Sequence, residues 1–367
     1  MINKLFTLFL CATVLAFTSC SSDDDSTPSE PIQVIIEGAS VSPLVGGPNE
    51  QNQVYVDLST NTSTAVQRDS WDLGFYSGSE FRVVINGSIA MATAELSTTD
   101  IDAVSSSDEE VVNIQPLVKT NTYNEASMIY IDSPNGNINN TAIAEISDID
   151  INNKVYIVNL GYEVGTETPT TGNYAITGDI RGWKKIRVLK NGNDYVLQYA
   201  DLDATTHQEV TISKNSNYNF TFFSFNTETE VSVEPTKSNW DINFTVFTDE
   251  VFIGADSYGP YLYGDFITNN SKANVGVYMI DTEVETELSY ENFTLADVVN
   301  TNFINNDQRA IGSSWRNSGG PGSLPSLKED VFYVVNDTDG NLYKLQFLAM
   351  FNEAGERGYP QFVYSLL

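Results

Sequence analysis

Cysteine is almost missing from this chain. There are two, Cys11 and Cys20, and the first lies inside an apolar run at the N-terminus. A chain processed behind that run has no disulfide framework, no thiol nucleophile and no cysteine-based metal site. Histidine is scarcer still, with His207 the sole example. One imidazole and no usable thiol exclude most nucleophile–base pairs. The sequence also lacks a Gly-x-Ser-x-Gly elbow, a His-Glu-x-x-His helix and a phosphate loop. The carboxylates are too many to single out a glycosidase pair, so nothing marks the chain as an enzyme. Positive charge is short as well: 18 Lys and Arg stand against 49 Asp and Glu, a formal net charge of −31. Nucleic acid, which needs cations to neutralise its phosphates, is excluded as a partner, and anionic partners are disfavoured. Long helical patterns are few. Thr, Asn, Tyr and Phe are abundant instead, a composition of strands and turns.

The N-terminus has its own logic. Lys4, the apolar stretch Leu5 to Phe17 and the small residues Thr18-Ser19 make a secretory signal over residues 1–19, too short to span a membrane. Cys20 would then be the first residue of the processed chain. Its setting resembles the lipobox of a bacterial lipoprotein, whose thiol carries a lipid that anchors the protein to a membrane without crossing it. The run Ser21-Ser22-Asp23-Asp24-Asp25 is a solvated acidic tether, and it resembles the acidic signal that sends Bacteroidetes lipoproteins to the cell surface. Residues 20–49, rich in Ser, Asp and Pro, read as a linker.

The globular part is organised around a repeated motif. Ser70-Trp71-Asp72-Leu73-Gly74-Phe75 returns as Asn239-Trp240-Asp241-Ile242-Asn243-Phe244. Each copy follows a strand-like run, Val54 to Thr60 and Phe220 to Asn226. Alternation places Trp71, Leu73 and Phe75 on one face, and likewise Trp240, Ile242 and Phe244, as core residues. Asp72 and Asp241 fall on the other face, toward water or a turn. We read run and motif together as a central hairpin, used twice. The repeat continues in order: Val155 to Asn159 matches Phe332 to Asn336, Trp183 to Val188 matches Leu342 to Phe347 beyond the turn Asp339-Gly340-Asn341, and Tyr195 to Tyr199 matches Gln361 to Tyr364. The expectation is an all-β fold of two homologous β domains in tandem, residues 50–205 and 212–367. Helix is confined to a short stretch over Tyr290 to Asn300, with a weaker match over Thr99 to Ser105.

The second copy, with Phe222-Phe223-Ser224-Phe225, the Trp240 motif, Val331 to Val334, Asp339-Gly340-Asn341, Tyr343 to Phe347 and Phe362-Val363-Tyr364, resembles the HmuY family, surface lipoproteins of Bacteroidetes. The first copy resembles it through the repeat. The resemblance implies an all-β domain whose loops grip haem or a related tetrapyrrole and pass it to an outer-membrane receptor of the TonB-dependent kind. It also implies two axial iron ligands, commonly His and in some relatives Met, which set affinity and potential. The loops that correspond to the family's ligand loops, Ser313 to Gly322 and Asp281 to Glu287, contain no His.

The candidate ligand residues are therefore of other types. Met279 and Met128 offer thioethers to iron. His207, in the link between the copies, is a further and weaker iron ligand. Trp315 and Arg316, in a glycine-rich loop, offer a flat ring and a cation to a planar anion; the competing reading puts Trp315 at the end of the sheet and Arg316 in solvent. Tyr261 lies in the Tyr-Gly stretch Ser257 to Gly264, read as a loop that stacks on sugars or ring systems, or as an ordinary turn. The alternative function is a haem-independent module that binds a glycan, a peptide or an outer-membrane partner through the same loops. The Asp148-Ile149-Asp150 and Asp201-Leu202-Asp203 runs lack a complete calcium loop and read as solvated.

Overall fold

The computed structural model describes residues 37–320 and 323–367. The secretory signal, Cys20 and the acidic tether lie outside the described residues. The fold is all-β, and every named ladder is antiparallel.

Each half owns one five-stranded sheet. In the first half, Ala92–Glu95, Tyr156–Asn159, Trp183–Asn191, Asp194–Asp201 and Gln208–Ile212 are neighbours in that order. In the second half, Gly276–Asp281, Val331–Asn336, Leu342–Phe351 and Arg357–Leu366 are joined at the edge by Gly38–Val41. That last pairing corrects the extent of the linker. Gly38 to Val41 lie in register with Ser365 to Phe362, and Val45 is buried in the second core. The tether reading therefore fails from Gly38 on, because these residues supply a ladder and an apolar contact.

The other two large sheets cross between the halves. Asn52–Asp57, which precedes Trp71, pairs with Ile242–Ile253, which follows Trp240. Phe220–Ser224, which precedes Trp240, pairs with Leu73–Tyr76, which follows Trp71. The hairpins expected within each copy are thus exchanged: each copy's leading strand lies beside the motif strand of the other. Both cores are mixed as a result. Phe223 and Phe225 enter the core with Leu73, Phe75 and Tyr195. Val54, Val56 and Leu58 enter the core with Ile242, Phe244 and Tyr333.

The two aspartates hold this exchange, which is the correction to their expected exposure. Asp72 and Asp241 are fully buried. The Asp72 backbone donates to Phe223 O at 2.9 Å, and its carboxylate accepts from Phe225 N at 2.6 Å. In the mirror arrangement the Asp241 backbone donates to Val56 O at 2.8 Å, and its carboxylate accepts from Leu58 N at 2.8 Å. A strand end buried between two sheets has backbone donors that need acceptors, and a short carboxylate beside the ladder supplies one. Asn86 and Asn270 complete the repeat. Asn86 donates to the carbonyls of Arg68 and Trp71, and Asn270 to those of Lys237 and Trp240.

Between the crossed sheets the two indoles share one cluster with Tyr55, Phe222 and Val233. Trp240 meets Tyr55 edge to face at 5.0 Å, and Trp71 meets Phe222 at 4.8 Å. Such pairs add roughly 0.5–1.5 kcal/mol each beyond the area they bury.

Two local expectations also change. Over Tyr290 to Asn300 there are only the short 3-10 turns Leu295–Asp297 and Asn300–Asn302. The α-helix described here is Glu109–Ile114, opened by Asp108 with Glu109 and Glu110 in its first turn, where they complement the helix dipole. The Tyr-Gly stretch is not a loop. It lies in the strand Asp256–Asn269, which pairs with Ile242–Ile253 in a long hairpin. Its alternating residues match the strand period, and that outweighs the glycines.

Candidate functional site

Two hollows lie where the halves meet. The first is a cleft of about 470 Å³ between residues 128–142 of the first copy and Glu250 and Arg309 of the second. Met128 lines it from the 3-10 turn Glu125–Tyr130. That turn forms because the Asn124 side chain accepts from Ala126 N. Asp132 then pins the following loop, its carboxylate accepting from Ile85 N and Ala142 N at 2.8 Å each. Ile129 stands 71 % exposed beside Met128, and the hairpin that carries Glu250 ends in exposed Phe252 and Ile253. Arg309 reaches Asp307 through two hydrogen bonds, of 3.0 and 2.8 Å, and Asp249 at 2.9 Å. These carboxylates hold its guanidinium firmly protonated. The cleft therefore combines a thioether, apolar side chains, Glu250 and a cation already paired with two carboxylates.

The second hollow, of about 190 Å³, lies on the seam itself. Tyr55, Trp71, Phe220, Phe222, Trp240 and Phe247 form its aromatic walls. Glu234 accepts from Asn219 N at 2.7 Å and Phe220 N at 2.9 Å. Lys272 donates to Gly136 O across the join. The loop 131–141 contributes to both hollows.

Of the candidate ligand residues Met128, Met279, His207, Tyr261, Trp315 and Arg316, Met128 alone lines either hollow. Met279 is 38 % exposed near the end of Gly276–Asp281, on the face it shares with Val277 and with its ladder partner Tyr333; the strand runs out of the core there, so it is not a core residue. Trp315 is 1 % exposed and packs on Phe347 at 4.6 Å, its Nε1 donating to Asp265 O at 3.2 Å. Arg316 is buried and donates to Gly264 O at 2.7 Å. The open Trp-Gly loop is thus replaced by a buried wedge: the ring fills the second core, and the cation binds backbone carbonyls and Asp265. Tyr261 stands on its strand between Tyr123 and Tyr263. His207 turns back on Asp102 at 2.9 Å. Sequence reasoning missed Arg309, Glu250 and Asp132. Each is an ordinary charged residue in a loop or strand, and only the tertiary approach of the halves sets it apart.

Burial sets the acid titrations. It pushes Asp132, Glu234 and Asp241 each up to about 7. Burial, aided by Asp265, pushes Glu50 up to about 8. In the unfolded chain these groups release protons near pH 4, whereas the folded state holds them to pH 7 or above. Between those limits the native state binds more protons, so stability falls as pH rises. Tm is expected to be higher at pH 5.5 than at pH 8 by roughly 5–10 °C, on the order of several kcal/mol. Glu234→Gln should flatten the slope. A Tm that rises with pH across this window rejects the assignment.

The scaffold is all-β, with hollows where its two repeats meet. The HmuY protein family matches at residues 49–205 and again at 216–364, so this chain belongs to the HmuY family and carries two copies of its domain. Among solved structures, it is similar to an HmuY-like heme-binding protein from Bacteroides vulgatus at 9 % identity, over 90 % of this chain and 91 % of that one, with a TM-score of 0.23. An apo HmuY analog from Tannerella forsythia matches at 10 % identity, over 90 % and 97 %, with a TM-score of 0.24. Apo PinO from Porphyromonas gingivitis matches at 13 %, over 50 % and 95 %, with a TM-score of 0.23. No curated protein matches. Among the described residues, no helix is long and apolar enough to cross a membrane, and no cluster of three or more His, Cys, Asp or Glu side chains could hold a metal ion.

Proposed function

We propose that the protein is anchored through a lipid on Cys20 to the outer membrane, facing outward, and binds haem or a related tetrapyrrole as cargo in the larger cleft. The observation that carries this reading is the cleft itself. Its 470 Å³ falls within the roughly 300–1,000 Å³ of small-molecule sites. Met128 would meet the iron as a soft ligand, and Ile131 and Ala142 would face the macrocycle. A single thioether holds iron less firmly than a pair of imidazoles, which suits a carrier that hands its cargo to a receptor of the TonB-dependent kind.

Hemin titrated into the processed protein is expected to move the Soret band at micromolar concentration, and Met128→Ala to alter that spectrum. An unchanged Soret band rejects the function. A spectrum altered by Met279→Ala and untouched by Met128→Ala would move the site to the exposed end of Gly276–Asp281.

A further inference from the structure

The strand Asp256–Asn269 lies at the edge of its sheet. Along its middle, Pro260, Leu262 and Gly264 are buried, while Tyr261 and Tyr263 are half-buried and share the other face. A loop of the first copy is laid on this edge. Asn121 N donates to Pro260 O at 2.8 Å, and Leu262 N donates to the Asn121 side chain at 2.9 Å. The approach is so close that Gly259 admits no Cβ, which would run into the Asn124 carbonyl. The loop brings Tyr123 against Tyr261, with ring centroids 6.1 Å apart, and Tyr261 in turn meets Tyr263 at 4.9 Å. Tyr123 is held at φ 51°, in the left-handed region, where a bulky side chain is strained. Burial does not offset that strain, because Tyr123 is 59 % exposed. The hydroxyls of Tyr123 and Tyr263 make no hydrogen bond among the described residues. Strain kept for the sake of an exposed ring points to something that binds the ring.

We propose that Tyr123, Tyr261 and Tyr263 form a surface site for a neutral oligosaccharide of hexopyranose units. The C–H faces of such units are apolar and lie well on aromatic faces, which carry negative charge. Phenol hydroxyls both donate and accept, as sugar hydroxyls do. The ring planes are inclined by 47° and 71° from one to the next. A flat macrocycle cannot cover such a row, whereas each sugar unit needs a single ring face and successive units can turn. The rings also touch one another, so they leave no cage to enclose a cation. Anionic glycans are repelled. Asp249 lies opposite Tyr261 in the ladder, Glu125 is exposed two residues past Tyr123, and Arg309 is already paired with Asp249 and Asp307. The formal net charge of −31 acts in the same direction. Because Tyr123 comes from one copy and Tyr261 and Tyr263 from the other, the site exists only where the copies are joined.

The test uses the full processed protein without hemin, so that its result stands apart from the cleft. Glucose and its α-1,4-, β-1,3- and β-1,4-linked di-, tri- and hexasaccharides are titrated, with saturation-transfer NMR and calorimetry as readouts. Oligogalacturonate serves as the acidic chain and a proline-rich peptide as the rival occupant. At least one neutral series is expected to bind, more tightly from glucose to the trisaccharide because three rings meet in series. Tyr261→Ala and Tyr263→Ala should each weaken it about 2–10-fold, the worth of one stacked ring. Tyr123→Gly should weaken it comparably and leave Tm unchanged or raised, since glycine adopts the left-handed conformation without strain. Tyr123 is exposed, so this variant keeps the test decisive should either strand variant fail to fold. No binding of any neutral series, preference for oligogalacturonate or the peptide, binding indifferent to Tyr123→Gly, or a Tm lowered by it would each overturn the assignment.

Discussion

Residues 50–205 produced alone are expected not to fold, although they carry a full copy of the family's domain. Strand Leu73–Tyr76 would lose Phe220–Ser224, and Asn52–Asp57 would lose Ile242–Ile253. The first core would lose Phe223 and Phe225. Trp71 would lose Phe222, and Asp72 would have no Phe225 N–H to accept. Apolar strand edges left open invite aggregation. The combined loss is comparable with the roughly 5–15 kcal/mol that holds a domain together. Residues 37–212 and 213–367 produced together should reassemble, since every lost ladder returns. Amide dispersion in a proton–nitrogen correlation spectrum is the measurement. A well-dispersed spectrum from the isolated first copy would show that its leading hairpin can fold back onto its own motif strand.

The second large effect is local. Asp72 and Arg181 form a buried ion pair at 2.7 Å, with side chains 0 % and 4 % exposed. Removing one partner of a buried pair strands the other charge at a cost of about 3–5 kcal/mol. Asp72→Ala should therefore lower Tm by roughly 5–10 °C. Combining it with Arg181→Met should recover much of that loss, because no charge is then left without its partner. Asp241 occupies the equivalent place with no cation paired to it among the described residues, and burial pushes it up to about 7. Asp241→Asn keeps the shape and an acceptor oxygen for Leu58 N but turns its NH2 group toward the Thr338 N–H, so it should cost about 1–3 kcal/mol at neutral pH. At pH 8 that cost should shrink, since the carboxylate's desolvation is removed. Chemical denaturation of the three variants measures both statements. Equal losses from Asp72→Ala and Asp241→Asn would mean that the ion pair is not what distinguishes the copies.

The two copies carry the same motif and use it with different electrostatics. In the first, Arg181 enters from the strand-to-strand link after Ile180 and neutralises Asp72. In the second, Thr338 donates to Asp241 from the turn before Gly340. The spacing of Trp, Asp and the apolar pair reveals that both aspartates have a common place. It does not reveal which receives a cation, because Arg181 lies 109 residues from Asp72.

The candidate site divides in the same way. Met128 was legible as a residue type, a thioether in an irregular region. The company it keeps was not, since Glu250 and Arg309 reach it only through the fold. Trp315 and Arg316 misled because a glycine-rich run suggests an open loop, whereas the large ring and the paired cation gain more from burial beside Asp265 and Phe347. Tyr261 misled for the opposite reason: local glycines hid a strand that is set by its partner Ile242–Ile253.

By itself the sequence determined the class of fold and its duplication. These depend on alternation and on residue types repeated along one chain, and such local regularities survive without knowledge of contacts. Only the tertiary structure decided that the leading strands change places. A strand's ladder groups are alike in every residue, so either motif strand satisfies them, and the choice falls to packing summed over both cores. The hollows follow from that choice, because both lie where side chains from the two copies approach one another.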